Sequence, residues 1–228
     1  MTGATGNIYV GLHEFADMML PLHYLREGDL FLDIGANIGS YTVIGSGVCR
    51  AATWAFEPDP DAMRALKRNV ALNGLEGLVT AYELALGATH GEIPFTIGLD
   101  TVNRVAATGE RNVRKIRQEP LDALIGAAQP VMIKMDVEGY EEEVLRGAPA
   151  LLANESLNVI ELESVTPGIE EMLRCNRFER AYYDPFSRKL EREPVGVPSH
   201  NSLFVRNWAL VSARLTAARK IEVLGQAI

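Results

Sequence analysis

Between Gly28 and Thr42 the chain reads G-D-L-F-L-D-I-G-A-N-I-G-S-Y-T, and this stretch limits the fold more than any other. Leu30-Phe31-Leu32 is an apolar run typical of a strand buried on both faces of a parallel sheet. It stops at Asp33. Gly35 and Gly39 then bracket Asn37, and Tyr41, Val43 and Ile44 begin a helical pattern. A strand, a glycine turn and a helix in this order bring backbone N–H groups and a helix N-terminus up to a ligand.

The spacing selects the ligand. A dinucleotide fingerprint needs G-x-G-x-x-G, so that bare backbone can approach a pyrophosphate. Counted from Gly35, the second and third glycine positions hold Asn37 and Ser40, and the Gly-Lys-Ser/Thr of a P-loop is absent. The pattern is instead D-x-G-x-N-x-G. Asn at its centre tolerates positive φ better than other non-glycine residues. An acidic residue ahead of the turn suits a cationic ligand, which points to S-adenosylmethionine, a sulfonium with no phosphate. Thr53-Trp54-Ala55-Phe56 reads as a second buried strand ending at Glu57 and Pro58. A carboxylate there can accept both ribose hydroxyls of an adenosine. The competing reading, that Asp33 and Glu57 only cap loops, leaves their shared position at strand tips unexplained. The turn residues Gly35, Ala36, Asn37, Gly39 and Thr42, with Asp33, Glu57 and Pro58, are therefore the candidate cofactor contacts.

Three blocks then stand together: DIGANIGSYT, AFEPDPDAMRALKRNVALNGL and IKMDVEGYEEEVLRGA. In content, order and spacing they resemble the FkbM-type family of S-adenosylmethionine-dependent methyltransferases, from about Tyr9 to about Arg206. The resemblance implies a class I methyltransferase fold, that is, a Rossmann-like, doubly wound α/β sheet, mostly parallel with an antiparallel last strand. It implies O-methylation of a hydroxyl on a small molecule or sugar. It also implies that a segment near Glu14 packs over the methionine end of the cofactor, and that Glu83-Leu84-Ala85 reaches the adenine ring. Glu14, Glu83 and Ala85 join the candidate set on that ground, against the bland readings of a solvated glutamate and a structural turn.

The rest of the chain supplies the other elements. Leu12, Phe15, Met18, Met19, Leu22 and Leu25 fall at helical spacing across 11–26, with Pro21 predicting a break or kink. A helix is expected over 61–72, capped by Asp59 or Asp61 and ended by Asn73-Gly74. Strands are expected over 78–84 and 92–97, the latter at a sheet edge because of Pro94. Residues 98–119 are the least periodic and carry Asn103, Arg104, Arg111, Arg114, Lys115 and Arg117. They read as a solvated loop leading into a short strand over 113–118, ahead of an acceptor-binding flap. A short helix is expected over 121–127. Val131 to Met135 is a further apolar strand, ending at Asp136 before Glu138, Gly139 and a helix over 140–152. Strands over 157–162, 180–184 and 202–205, a helix over 167–174 and a terminal helix over 208–224 complete the pattern. The terminal helix either covers the domain's own sheet or forms a dimer seam. The divisions are a lead-in over 1–28, with 1–7 small and polar, a catalytic domain over 29–206, and a C-terminal helix over 207–228.

In an open α/β sheet, strand-tip carboxylates converge on one crevice, so Asp33, Glu57 and Asp136 should meet. A hydroxyl acceptor must lose its proton, and Asp136 and His200 are the candidate bases. A divalent cation held by Asp136, Glu161 (or Glu163) and His200 would give a metal-assisted reaction, which ranks behind a metal-free base. The same layout would also serve N-methylation or, less well, a nicotinamide-dependent oxidoreductase. A net charge of −8 and a pI near 5.1 argue against nucleic acid as the main partner. Cys49 and Cys175 are isolated, no signal peptide pattern is present, and no apolar run approaches the ~20 residues of a membrane span. These features predict a cytoplasmic protein.

Overall fold

The computed structural model describes residues 12, 14–96, 104–106, 112–194, 196–197, 199–223 and 226–227. The expected lead-in over 1–7, the start of the first helix at Gly11, Ile97, Asn103, Arg111 and Leu224 lie outside them.

Helix α1 (Phe15–Tyr24) precedes strand β1 (Leu30–Ile34), a short helix α2 (Ser40–Val43) and a single π turn (Ile44–Val48). Then come β2 (Ala52–Phe56), α3 (Pro60–Leu72), β3 (Val79–Tyr82), β4 (Ala85–Leu86), β5 (Gly91–Thr96) and β6 (Val113–Glu119). Helix α4 (Leu121–Ile125), β7 (Pro130–Met135), α5 (Glu141–Arg146), α6 (Pro149–Ala153), β8 (Val159–Leu162) and α7 (Pro167–Cys175) follow. The chain closes with β9 (Glu179–Asp184), β10 (Lys189–Glu191), β11 (Ser202–Val205), α8 (Trp208–Thr216), β12 (Glu222–Val223) and β13 (Gln226–Ala227).

Eight strands form the main sheet in the order β10-β9-β11-β8-β7-β1-β2-β3. Strands β3, β2, β1, β7 and β8 are parallel, and β11 runs antiparallel to both β8 and β9. The fold is the doubly wound, mostly parallel class expected from the sequence. The order reverses between β1 and β7, and at such a switch point ligands bind beyond the strand C-termini. A second sheet, β4-β6-β5, stands beside the main one. Its edge strand β5 contains Pro94, as the missing N–H requires.

Alternation along the strands divides the core. Leu32, Ile34, Ile133, Met135, Ile160 and Leu162 pack with α4 to α7 on one face. Phe31, Met132, Val159 and Leu203 face α1 and α8 through Met18, Leu20, Tyr24, Val211 and Leu215. Each of these large side chains contributes about 1.5–3 kcal/mol by leaving water. Helix α8 thus covers the domain's own sheet.

Several expectations are corrected. The first helix runs through Pro21, held by the burial of Met18, Met19, Leu20, Leu22 and Tyr24, and Leu25 N–H closes on the Pro21 carbonyl at 2.9 Å. The strand expected over 78–84 ends at Tyr82, and Ala85–Leu86 pairs instead with β6 in the second sheet. The helix expected over 140–152 is two helices. Pro149 disfavours a helical residue before it, and Ala148 sits at φ −133°. The Asp122 carboxylate caps the second piece, accepting from Ala150 N–H at 2.7 Å and Leu151 N–H at 2.9 Å. The loop before β11 contains the strand β10. The terminal helix stops at Thr216, and β12 and β13 follow.

Candidate active site

The turn after β1 is pinned to β2: Gly35 and Ala36 N–H groups both donate to the Phe56 carbonyl, at 2.9 and 3.0 Å. Gly35 has φ 76°, and a Cβ there would lie 1.7 Å from the Asp136 carbonyl oxygen, so no side chain fits between the two strand tips. Asn37 has φ 51° and Gly39 φ 89°. Behind the turn, Asp33 is buried and accepts from Thr42 Oγ1 at 2.5 Å, while its Oδ1 has no hydrogen-bond partner among the described residues. Burial raises the Asp33 pKa against the opposing pull of Lys134 and Thr42.

Glu57 carries the clearest geometry. Its Oε2 accepts from Asn37 N–H at 2.8 Å and its Oε1 from Asp59 N–H at 2.7 Å. Asp59 in turn caps α3 by accepting from Asp61 N–H, with Pro60 in the first turn. Burial pushes the Glu57 carboxyl up to about 7, although both backbone N–H groups pull it down. The two carboxylate oxygens are thus fixed in direction, and each keeps a lone pair for a ligand.

A cleft of about 700 Å³ opens over these groups, lined by Gly35, Asn37, Glu57, Pro58, Ala85 and Asp136 among others. Leu84, Leu86, Phe95, Val105 and Tyr140 form its apolar wall, so the second sheet roofs one side. The lining, a few polar groups against an apolar wall, is that of a small-molecule site. Glu83 is not part of it: β3 has already ended, and the side chain faces Lys67 at 3.8 Å on the surface. Of the basic residues over 98–119, Arg114, Lys115 and Arg117 lie on β6, Lys115 beside Glu92 and Arg117 beside Glu119.

Beneath the cleft, register aligns Asp33, Lys134 and Glu161 across three adjacent parallel strands. Lys134 is buried, and its Nζ donates to Asp136 Oδ2 at 2.7 Å and sits 4.7 Å from the centre of the Tyr41 ring. Tyr41 donates to Glu14 Oε2 at 2.7 Å, so Glu14 reaches the site through Tyr41. Burial alone would lower the Lys134 pKa, but Asp136 and Asp33 outweigh it and hold the ammonium charged. Burial likewise opposes ionisation of Asp136, and Lys134 and a hydrogen bond from Glu163 outweigh it. Glu163 is pushed up to about 8 by burial and by that shared proton.

Carboxylate oxygens of Asp136, Glu138 and Glu163 lie within 4.8 Å of one another. Glu161 and His200, which the sequence grouped with Asp136 for a metal, are not in this set. His200 lies at the rim of another cleft, exposed, with Nδ1 3.5 Å from Asp17 Oδ2. The two candidate bases are therefore not neighbours. Sequence reasoning missed Lys134, Asp17 and Tyr41. The available signal was a lysine inside an apolar strand, since lysine is almost never fully buried without a partner.

Residues 33–182 match the family described as the methyltransferase FkbM domain. The chain belongs to this family. It is 30% identical over 148 residues to the hexuronic acid methyltransferase AglP of Haloferax volcanii, covering 64% of this chain and 60% of that protein. The chain thus spans about three fifths of the length of this relative. To the methyltransferase sdnD of Sordaria araneosa it is 27% identical over 205 residues, covering 72% of this chain and 79% of the relative. The crystal structure of an FkbM methyltransferase from Methylobacillus flagellatus aligns with a TM-score of 0.51 at 18% identity, over 78% of this chain and 43% of that one. That likeness concerns the fold. In this FkbM-family chain no helix among the described residues is long and apolar enough to cross a membrane.

Proposed function

We propose that this FkbM-family protein is an S-adenosylmethionine-dependent methyltransferase that methylates a hydroxyl of a sugar or small molecule. The observation that carries the reading is Glu57: a carboxylate aimed into a cleft by two backbone N–H groups, with lone pairs left for a ribose diol. The cradle at Gly35, which excludes any Cβ, fits the methionine end of the same cofactor, and Asp33, whose Oδ1 has no hydrogen-bond partner among the described residues, stands just before it on β1. Bound there, the cofactor would supply a methyl group already activated on a sulfonium. The chain's own part is alignment and proton removal. Asp136 lines the cleft, is kept ionised by Lys134 and shares a proton with Glu163, so this pair is assigned the acceptor's hydroxyl proton. The relative named for hexuronic acid methylation supports a sugar acceptor. A nicotinamide dinucleotide is disfavoured because Asn37 and Ser40 stand where bare glycine backbone would meet a pyrophosphate. Calorimetric titration with S-adenosylhomocysteine and NAD tests the reading. Binding of the first alone is expected, and binding of NAD alone would overturn the assignment. Mass spectrometry with methyl-deuterated cofactor then identifies the methylated atom in a panel of acceptors.

A further inference from the structure

A second cleft, of about 950 Å³, opens on the α1 face of the sheet, and Glu161 on β8 lines it. Glu161 is fully enclosed: Asn201 Nδ2 donates to its Oε1 at 2.9 Å, while Oε2 has no hydrogen-bond partner among the described residues. A buried polar oxygen left bare is costly, which makes it a mark of a missing partner. The neighbouring groups are already committed. Asp17 on α1 accepts from the Ser199 hydroxyl, His200 N–H and Asn201 N–H. Lys134, one strand over in register, bonds Asp136.

Around this buried oxygen the cleft presents the apolar side chains of Leu20, Ala181, Val197 and Leu203 together with the polar ones of Arg180, Tyr182 and Ser202. Polar side chains set among apolar ones fit a ring that has hydroxyls at its edge and C–H groups on its face. Burial raises the Glu161 pKa well above the usual carboxyl range, and the nearby Asp17 adds to that effect. A hydroxyl suits the site in either state, because it donates to a carboxylate and accepts from a carboxylic acid. An anionic ligand would meet the two carboxyl groups of Glu161 and Asp17 here, while Arg180 of the same lining is paired with Glu170. Asp136, which lines the first cleft, and Glu161, which lines the second, lie at the C-terminal ends of the adjacent strands β7 and β8, which are ~4.8 Å apart.

We propose that this second cleft is the acceptor subsite and takes a neutral, hydroxyl-bearing ring, with Glu161 Oε2 bonding one hydroxyl. The inference rests on the methyl-transfer reading of the first cleft. The test is saturation-transfer NMR on the full chain with S-adenosylhomocysteine, using methyl β-D-glucoside and methyl β-D-glucuronide as probes. The glucoside should give signals that fall at least fivefold in Glu161→Leu and in Val197→Trp, while S-adenosylhomocysteine affinity by calorimetry stays within twofold. Val197→Trp fills the cleft from a loop, so the test stands if Glu161→Leu does not fold. Glucoside signals that are absent from the wild type, or that survive in the folded variants, would overturn the subsite. Preferential binding of the glucuronide would overturn its neutral character. If the wild type fails to bind S-adenosylhomocysteine, the cofactor reading itself falls, an outcome separate from normal cofactor binding with no glucoside contact.

Discussion

At Glu57 one side chain links chain direction, backbone donors and the cleft. Its carboxyl titrates at about 7 because burial outweighs two N–H donors. Ribose hydroxyls donate best to the ionised form, so affinity for S-adenosylhomocysteine should be highest above pH 7. Below it, affinity should fall as the carboxyl gains its proton, by up to about tenfold per pH unit. Calorimetry at pH 5.5, 6.5 and 8 reads this directly. Glu57→Gln should remove the pH dependence and cost about 1.5–3 kcal/mol of binding, and a variant with unaltered affinity would refute the ribose assignment. Asn37 makes the complementary case through the backbone. At φ 51° it tolerates Gly, whereas a β-branched Val in that region is strained by ~1–2 kcal/mol or more. Asn37→Gly should bind S-adenosylhomocysteine normally and Asn37→Val should not. Equal binding by both would disprove the argument from turn geometry. Asp33, Gly35, Asn37 and Glu57 were all legible beforehand, since each is a residue type whose local chemistry dictates its place.

Elements were legible in kind and less so in extent. The period of Val144, Leu145, Leu151 and Leu152 describes one helix, but Gly147 and Pro149 divide it. The division has a packing reason: a Cβ on Gly147 would come within 2.1 Å of the Gly87 carbonyl oxygen, where the chain leaves β4. Gly147→Ala should therefore destabilise the fold by ~1–3 kcal/mol, the range for overpacking, rather than stabilise it as glycine replacement in an open helix would. Urea unfolding measures the sign, and a stabilised variant would refute the contact argument. The same scale explains the misplacement of Glu83. Local alternation continues past Tyr82, and only the recruitment of Ala85–Leu86 by β6 turns the chain away and leaves Glu83 outside the cleft.

Across the whole molecule, Lys134 joins what the local patterns kept apart. It lies between Asp33 and Glu161 in register, bonds Asp136 below the first cleft, and sits against the Tyr41 ring that holds Glu14. Lys134→Met keeps the volume but strips the buried Asp33 and Glu161 and the half-buried Asp136 of a neighbouring cation. A loss of about 3–5 kcal/mol is expected at pH 8, the range for breaking one side of a buried ion pair. The loss should shrink at lower pH, as the carboxyls take up protons and no longer need the ammonium. Denaturant melts at pH 8 and pH 5.5 decide this, and a pH-independent loss would point to packing alone. The sequence by itself determined the sheet class, the glycine turn after β1 and the carboxylates at strand tips, because period, glycine placement and strand ends are properties of neighbouring residues. Only the tertiary structure decided that Asp136 pairs with Lys134 and Glu163, that His200 stands in a second cleft, and that one Glu161 oxygen has no hydrogen-bond partner among the described residues. Those outcomes depend on register between distant strands and on which buried charges find one another, and neither is written in any local window of the chain.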